Sequence, residues 1–208
     1  MKALALAYAL LLCAPHVDPS SMARLITVES HGNPYALHDN ATDTEYEPKS
    51  ADEALALFQS LKADSARRCA IARAHDRYCL IDVGIAQVDE SNFDVRDVAS
   101  MLDPYVNIHR AAPLMLSAWD TAIGSSAHPK TWARYVALYG QPGLSPEQVV
   151  LRAAFSIYNS NSGYGNPDYV RRIEGAGSST YVVETTRFAD ELRQQLTNTS
   201  DRCVHGAT

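Results

Sequence analysis

The 208-residue chain lacks a basic excess: 18 Lys and Arg stand against 24 Asp and Glu, a formal net charge of -6. Affinity for phosphate backbones grows with clustered cations, and here they are scattered, so the sequence excludes a general nucleic-acid binder. The apolar run at the N-terminus, residues 3–12, is too short to cross a bilayer, and no stable membrane span is expected. There is no paired C-x-x-C. Cys69, His75 and Cys79 offer only irregularly spaced candidate ligands, so neither a metal nor another cofactor is expected. No internal repeat is visible. With 46% hydrophobic residues the chain can bury one substantial core, and its length requires no second domain.

The N-terminus admits two readings. Lys2 followed by residues 3–12 suits a signal-peptide core, although no small-x-small cleavage site follows and Leu12 before Cys13 does not fit a lipoprotein site. The same residues suit a first core helix. The four cysteines, Cys13, Cys69, Cys79 and Cys203, could form two bridges in three connectivities. Cys69 and Cys79 could close one bridge across a nine-residue spacer if the protein works in an oxidising compartment.

Periodicity predicts a nearly all-helical chain. Ser21 can cap a short helix carrying Met22, Leu25, Ile26 and Glu29 at i, i+3, i+4 and i+7, and Gly32 stops it. A polar, turn-rich stretch covers residues 31–49. Ser50 to Glu53 reads as a capping box, opening a helix with Ala54, Leu57, Phe58 and Leu61 inward. Residues 80–88 are short and apolar and contain Gly84, which suggests a strand or tight loop. Asp103-Pro104 opens a longer helix burying Tyr105, Ile108, Ala112, Met115 and Trp119, with a kink expected at Pro113. Further helices are expected over residues 131–139, from Ser145 to Tyr158 and over residues 181–196, with a flexible break at 175–179 and a loose end.

Glu29 lies on the apolar stripe of its helix, where lost hydration pushes a carboxyl toward its protonated form, as a general acid requires. A boundary glutamate that reaches the surface or pairs with Arg would show the same spacing. Other motifs separate the two readings: Glu29-Ser30 with Gly32-Asn33-Pro34-Tyr35-Ala36, then Gly84-Ile85-Ala86-Gln87-Val88, Ser156-Ile157-Tyr158-Asn159, and Tyr169-Val170-x-x-Ile173. In this order they resemble the transglycosylase domain of soluble lytic transglycosylases and goose-type lysozymes. More closely, the chain resembles the small lytic transglycosylases of type IV secretion and conjugation systems, through Cys13-Ala14-Pro15, Pro19-Ser20-Ser21, Asp82 to Gln87, and Asp103-Pro104-Tyr105-Val106-Asn107-Ile108. The resemblance runs from about Leu10 to Ile173, and it draws Leu10 to Pro15 into the first helix of the domain. Three departures stand out: an extra segment between Lys62 and Leu80, Ile85 and Ala86 within the Gly-x-x-Gln loop, and Tyr105 where relatives often carry cysteine.

The resemblance implies a mainly α, single lysozyme-like domain over residues 1–174, with a small strand or loop element around Gly-x-x-Gln, followed by a C-terminal extension over 175–208. It implies a periplasmic or wall-associated enzyme of a Gram-negative bacterium, acting on peptidoglycan strands beside secretion or conjugation components. Glu29 would protonate the bond between N-acetylmuramic acid and N-acetylglucosamine, then accept the C6 hydroxyl proton as a 1,6-anhydro ring closes. Ser30, Gly84, Gln87, Tyr158, Asn159 and Tyr169 would bind or frame the sugar. Asp82 is a possible second carboxylate, and so a hydrolysing muramidase using Glu29 and Asp82 stays open. So does a non-catalytic wall-binding assembly protein on the same fold.

Overall fold

The computed structural model describes residues 1–194. The chain starts with α1 (Ala3–Cys13) and α2 (Pro19–Ser30). Leu6, Ala9 and Leu10 of α1 are buried in the main core, packed against the C-terminal half of the chain. α2 begins three residues earlier than the Ser21 cap anticipates. Asp18 is the N-cap, accepting from the Ser21 N–H at 2.8 Å, with Pro19 at the first helical position, where its missing N–H costs nothing.

The turn-rich stretch after α2 contains a hairpin that its polarity conceals, β1 (Leu37–Asp39) and β2 (Thr44–Tyr46). α3 (Ala51–Ala63) is capped by Ser50, which accepts from the Glu53 N–H. Of the four inward positions expected there, Ala54 and Phe58 are fully buried and Leu57 and Leu61 only half-buried. The extra segment folds as α4 (Ser65–Ala74) and returns through a Cys69–Cys79 disulfide.

β3 (Ile81–Val83) and β4 (Val88–Asp89) flank the Gly-x-x-Gln loop and complete a four-stranded antiparallel sheet of order β2-β1-β3-β4. Leu37 pairs with Val83, His38 with Asp82 and Asp39 with Ile81. Period-two alternation therefore buries Leu37, Ile81 and Val83 on one face and puts His38 directly beside Asp82 on the other.

After the single turn of α5 (Val98–Met101), the long α6 (Pro104–Ser126) packs along α8 (Pro146–Ser160), with α7 (Pro129–Tyr139) between them in sequence. Ile108, Ala112 and Met115 are buried as expected, each large apolar side chain contributing roughly 1.5–3 kcal/mol. Tyr105 and Trp119 are only half-buried, while Asn107 is fully buried. The helix is unbroken through Pro113, which faces solvent, so the carbonyl left without a helical donor can meet water. α8 starts at Ser145 as expected, with Ser145 and Gln148 forming a reciprocal capping box. α9 (Pro167–Ala176) carries Tyr169, Val170 and Ile173 inward, and α10 (Thr180–Arg193) packs along α1 and α2. The remainder of the helix expected to Leu196, the loose end and Cys203 lie outside the described residues. The result is a mainly α fold with one small sheet, as the lysozyme-like expectation requires.

Candidate active site

Glu29 sits in the last turn of α2, which ends abruptly because His31 (φ 53°) and Gly32 (φ 76°) enter the left-handed region. The chain turns away there, leaving the carboxyl half-buried on the wall of a cleft of about 680 Å³. Asp82, Gln87, Tyr158 and Asn159 line the same cleft. Segments far apart in sequence thus converge on one space.

The Gly-x-x-Gln loop forms one wall and is held from several sides. Gly84 adopts φ 83°, and a Cβ there would lie 2.3 Å from the Asn107 side chain and 2.7 Å from the Met101 carbonyl, so glycine is required. Asn107 accepts from the Ala86 N–H at 2.9 Å and donates to the carbonyls of Val83 and Met101 at 2.8 and 3.1 Å. Ser30 Oγ donates to the Ile85 carbonyl at 2.6 Å, and Tyr158 OH to that of Ala86 at 2.9 Å. Gln87, itself at φ 49°, donates through Nε2 to the carbonyls of Gly84 and Ala36 at 2.7 and 3.0 Å.

This geometry sorts the expected site residues. Glu29, Asp82, Gln87, Tyr158 and Asn159 face the cleft, the last exposed and accepting from Asn166 at 2.8 Å. Ser30, Gly84 and Tyr169 are buried behind its wall, where they set the positions of the loop and of Glu29. Tyr169 OH donates a hydrogen bond to Glu29 Oε1. Asn107 is visible in the sequence only as one letter of the Asp-Pro motif. His38 gives no signal there, because its role depends on the β1–β3 register.

Burial, aided by the nearby Asp82 charge, raises the Glu29 pKa to about 7 against the opposing Tyr169 hydrogen bond. Burial likewise raises Tyr158 and Tyr169 well above the usual phenol range, and the Glu29 charge adds to it, so both remain neutral hydroxyl donors. Asp82 is also raised by burial, with His38 opposing. His38 Nδ1 lies 3.4 Å from Asp82 and Nε2 3.4 Å from Asp43, and hydrogen bonding to Asp82 above all raises its pKa. The site therefore holds a carboxyl that exchanges its proton near neutrality and faces a polar, solvent-open cleft. Among the described residues no group of three or more His, Cys, Asp or Glu side chains could hold a metal ion, and no helix is long and apolar enough to cross a membrane.

The fold fits a mainly α, lysozyme-like domain, and its cleft holds one carboxyl, Glu29, with a pKa raised to about 7. The chain is a sequence relative of the virB1 proteins. It is 30% identical over 177 residues to the type IV secretion system protein virB1 of Brucella suis, covering 81% of this chain and 62% of that protein. It is 30% identical over 185 residues to protein virB1 of Agrobacterium fabrum, covering 86% and 62%, and 31% identical over 170 residues to that of Rhizobium radiobacter, covering 80% and 58%. The chain thus spans about three fifths of the length of these curated relatives. No family model and no solved structure matches it.

Proposed function

We propose that this protein is a peptidoglycan lytic transglycosylase that opens the cell wall locally for a type IV secretion or conjugation apparatus. The observation that carries the reading is Glu29: a carboxyl with a pKa of about 7, held by the neutral Tyr169 hydroxyl, on the wall of a polar cleft. Its protonated form gives its proton to the glycosidic oxygen as the bond from muramic acid C1 breaks. The substrate's acetamido oxygen stabilises the electron-poor C1. The Glu29 carboxylate then takes the proton of the C6 hydroxyl while O6 bonds to C1, and the acid is regenerated without water. Gln87, Tyr158 and Asn159 contact the sugar from the cleft, while Ser30, Gly84 and Tyr169 keep the acid and the loop in register. Kinship with a protein named for type IV secretion supports the setting, and the Cys69–Cys79 bridge suits an oxidising periplasm.

A hydrolysing muramidase would use Asp82 as its second carboxylate, and Asp82 does line the cleft. It is, however, already paired with His38 opposite it on β1. The deciding experiment digests purified glycan strands with wild type and Asp82→Asn at equal folded concentration and reads end groups by mass spectrometry. Transglycosylase action gives 1,6-anhydro ends from both proteins, with the variant slowed far less than the hundredfold or more that loss of an acid or base costs. Reducing muramic ends, or a folded variant as inactive as Glu29→Gln, would establish the muramidase. No cleavage by the wild type would leave the fold a recognition module.

A further inference from the structure

The extra segment after α3 has no part in the proton transfer, yet it reaches the same cleft. Tyr78, next to the disulfide-bonded Cys79, lines the cleft and is 73% exposed as a residue. A tyrosine ring that open to water gains nothing from the core and stabilises the fold little. Its neighbours, by contrast, are tied down with unusual thoroughness.

Arg77 donates its backbone N–H to the Ala72 carbonyl at 2.9 Å, and its guanidinium reaches Asp43, in the β1–β2 turn, at 3.0 Å. Cys79 is bonded to Cys69 on α4. The Leu80 carbonyl accepts from the Asn40 N–H at 3.1 Å and from Arg68 Nη2 at 3.3 Å. Arg68 is itself fully buried against Asp39. The residues on both sides of Tyr78 are therefore fixed to the sheet and to α4 while its ring stays uncovered. A rigidly mounted, solvent-facing aromatic ring at the mouth of a cleft lined by amides and hydroxyls, including Asn40, Asn92, Ser117 and Thr121, matches a sugar chain. The apolar C–H face of a pyranose stacks on the ring, and its hydroxyl and acetamido groups meet the polar lining. Holding the ring in place in advance removes part of the ordering cost of binding.

We infer that the disulfide-closed segment is an added sugar subsite, in which Tyr78 stacks on an N-acetylhexosamine ring of the glycan strand away from the bond being cut. This rests on the glycan-cleaving reading above. The test uses Glu29→Gln protein, which holds substrate uncleaved, and an octasaccharide of alternating N-acetylglucosamine and N-acetylmuramic acid, with the Kd measured by calorimetry. Adding Tyr78→Ala should weaken binding about tenfold, and Tyr78→Trp should restore it. In the Glu29 enzyme Tyr78→Ala should raise KM by a similar factor with kcat nearly unchanged. Because the ring is exposed, the substitutions leave the fold intact. Equal binding by the Tyr78→Ala and parent proteins would overturn the subsite while the transglycosylase reading stands. Absence of octasaccharide binding by every variant would overturn both.

Discussion

Asp39 and Glu29 are both withdrawn from water, yet their environments move their pKa values in opposite directions. Burial pushes Asp39 up, but bonds from the Arg68 guanidinium, the Thr42 hydroxyl and the Ala41 N–H outweigh it and leave the group below the usual carboxylate range. Glu29 has one neutral donor, Tyr169, and the negative Asp82 nearby, so burial prevails and its pKa rises to about 7. The first arrangement locks a charge in place to join β1 to α4. The second leaves a proton available for transfer. What separates a structural carboxyl from a reactive one here is the company it keeps rather than the depth at which it lies.

The sharpest way to break the contrast is Glu29→Gln. Activity on glycan strands should fall by about a thousandfold or more, since the amide keeps the Tyr169 hydrogen bond and loses the transferable proton. Stability should move the other way. Between the ordinary value of 4.5 and about 7, folded Glu29 holds a proton that the unfolded chain has released, so wild-type stability declines as pH rises through that window. The variant should match the wild type at pH 4 and exceed it above pH 7, by an amount on the order of 3 kcal/mol, in denaturant titrations. A variant less stable than wild type at high pH would contradict the raised pKa.

Asp39→Ala should do the reverse. Removing one half of the buried pair strands Arg68, and urea unfolding at pH 7 should show a loss of about 3–5 kcal/mol. The folded-state pKa of Asp39 is depressed, so its contribution is present above the ordinary value of 3.8 and fades as pH falls through the folded value. The penalty of the substitution should shrink at the acid end, and turnover per folded molecule should change little at neutral pH. A mutant with normal stability would mean that the pair does not hold α4 to the sheet.

The smallest effect is expected from Tyr169→Phe, which tests whether the single donor tunes Glu29. The Tyr169 hydrogen bond lowers the Glu29 pKa, so its removal should raise it. The acid step needs protonated Glu29, and the alkaline limb of the rate profile should therefore move to higher pH. The maximal rate should fall only about three- to tenfold, as for loss of one hydrogen bond. An alkaline limb that stays where it was would show that Tyr169 packs beside the acid without setting its proton affinity.

Much of the fold and of the site is legible in the amino-acid sequence, wherever the information is local. The i, i+3, i+4, i+7 stripe places Glu29 on the inner face of its helix, and Ser145 with Gln148 marks the start of α8, because caps and periodicity depend on residues within one or two turns. The hairpin of β1 and β2 is hidden because three-residue strands are too short to show alternation. The burial of Asn107 is hidden as well, because an asparagine on an apolar stripe reads as an interruption until its three backbone partners are known.

Composition, periodicity and motif order are thus enough to specify a one-core, mainly helical chain with Glu29 as the candidate acid. Which groups stand beside that acid is decided only in three dimensions. The Tyr169 donor comes 140 residues later, and Asp82 meets His38 across a strand register that no local pattern records. Arg68 meets Asp39, and Tyr78 reaches the cleft, through the way α4 and the Cys69–Cys79 disulfide fold the inserted segment back onto the sheet. A pKa depends on the dielectric and charge within a few ångströms, and those ångströms are filled by residues remote in sequence.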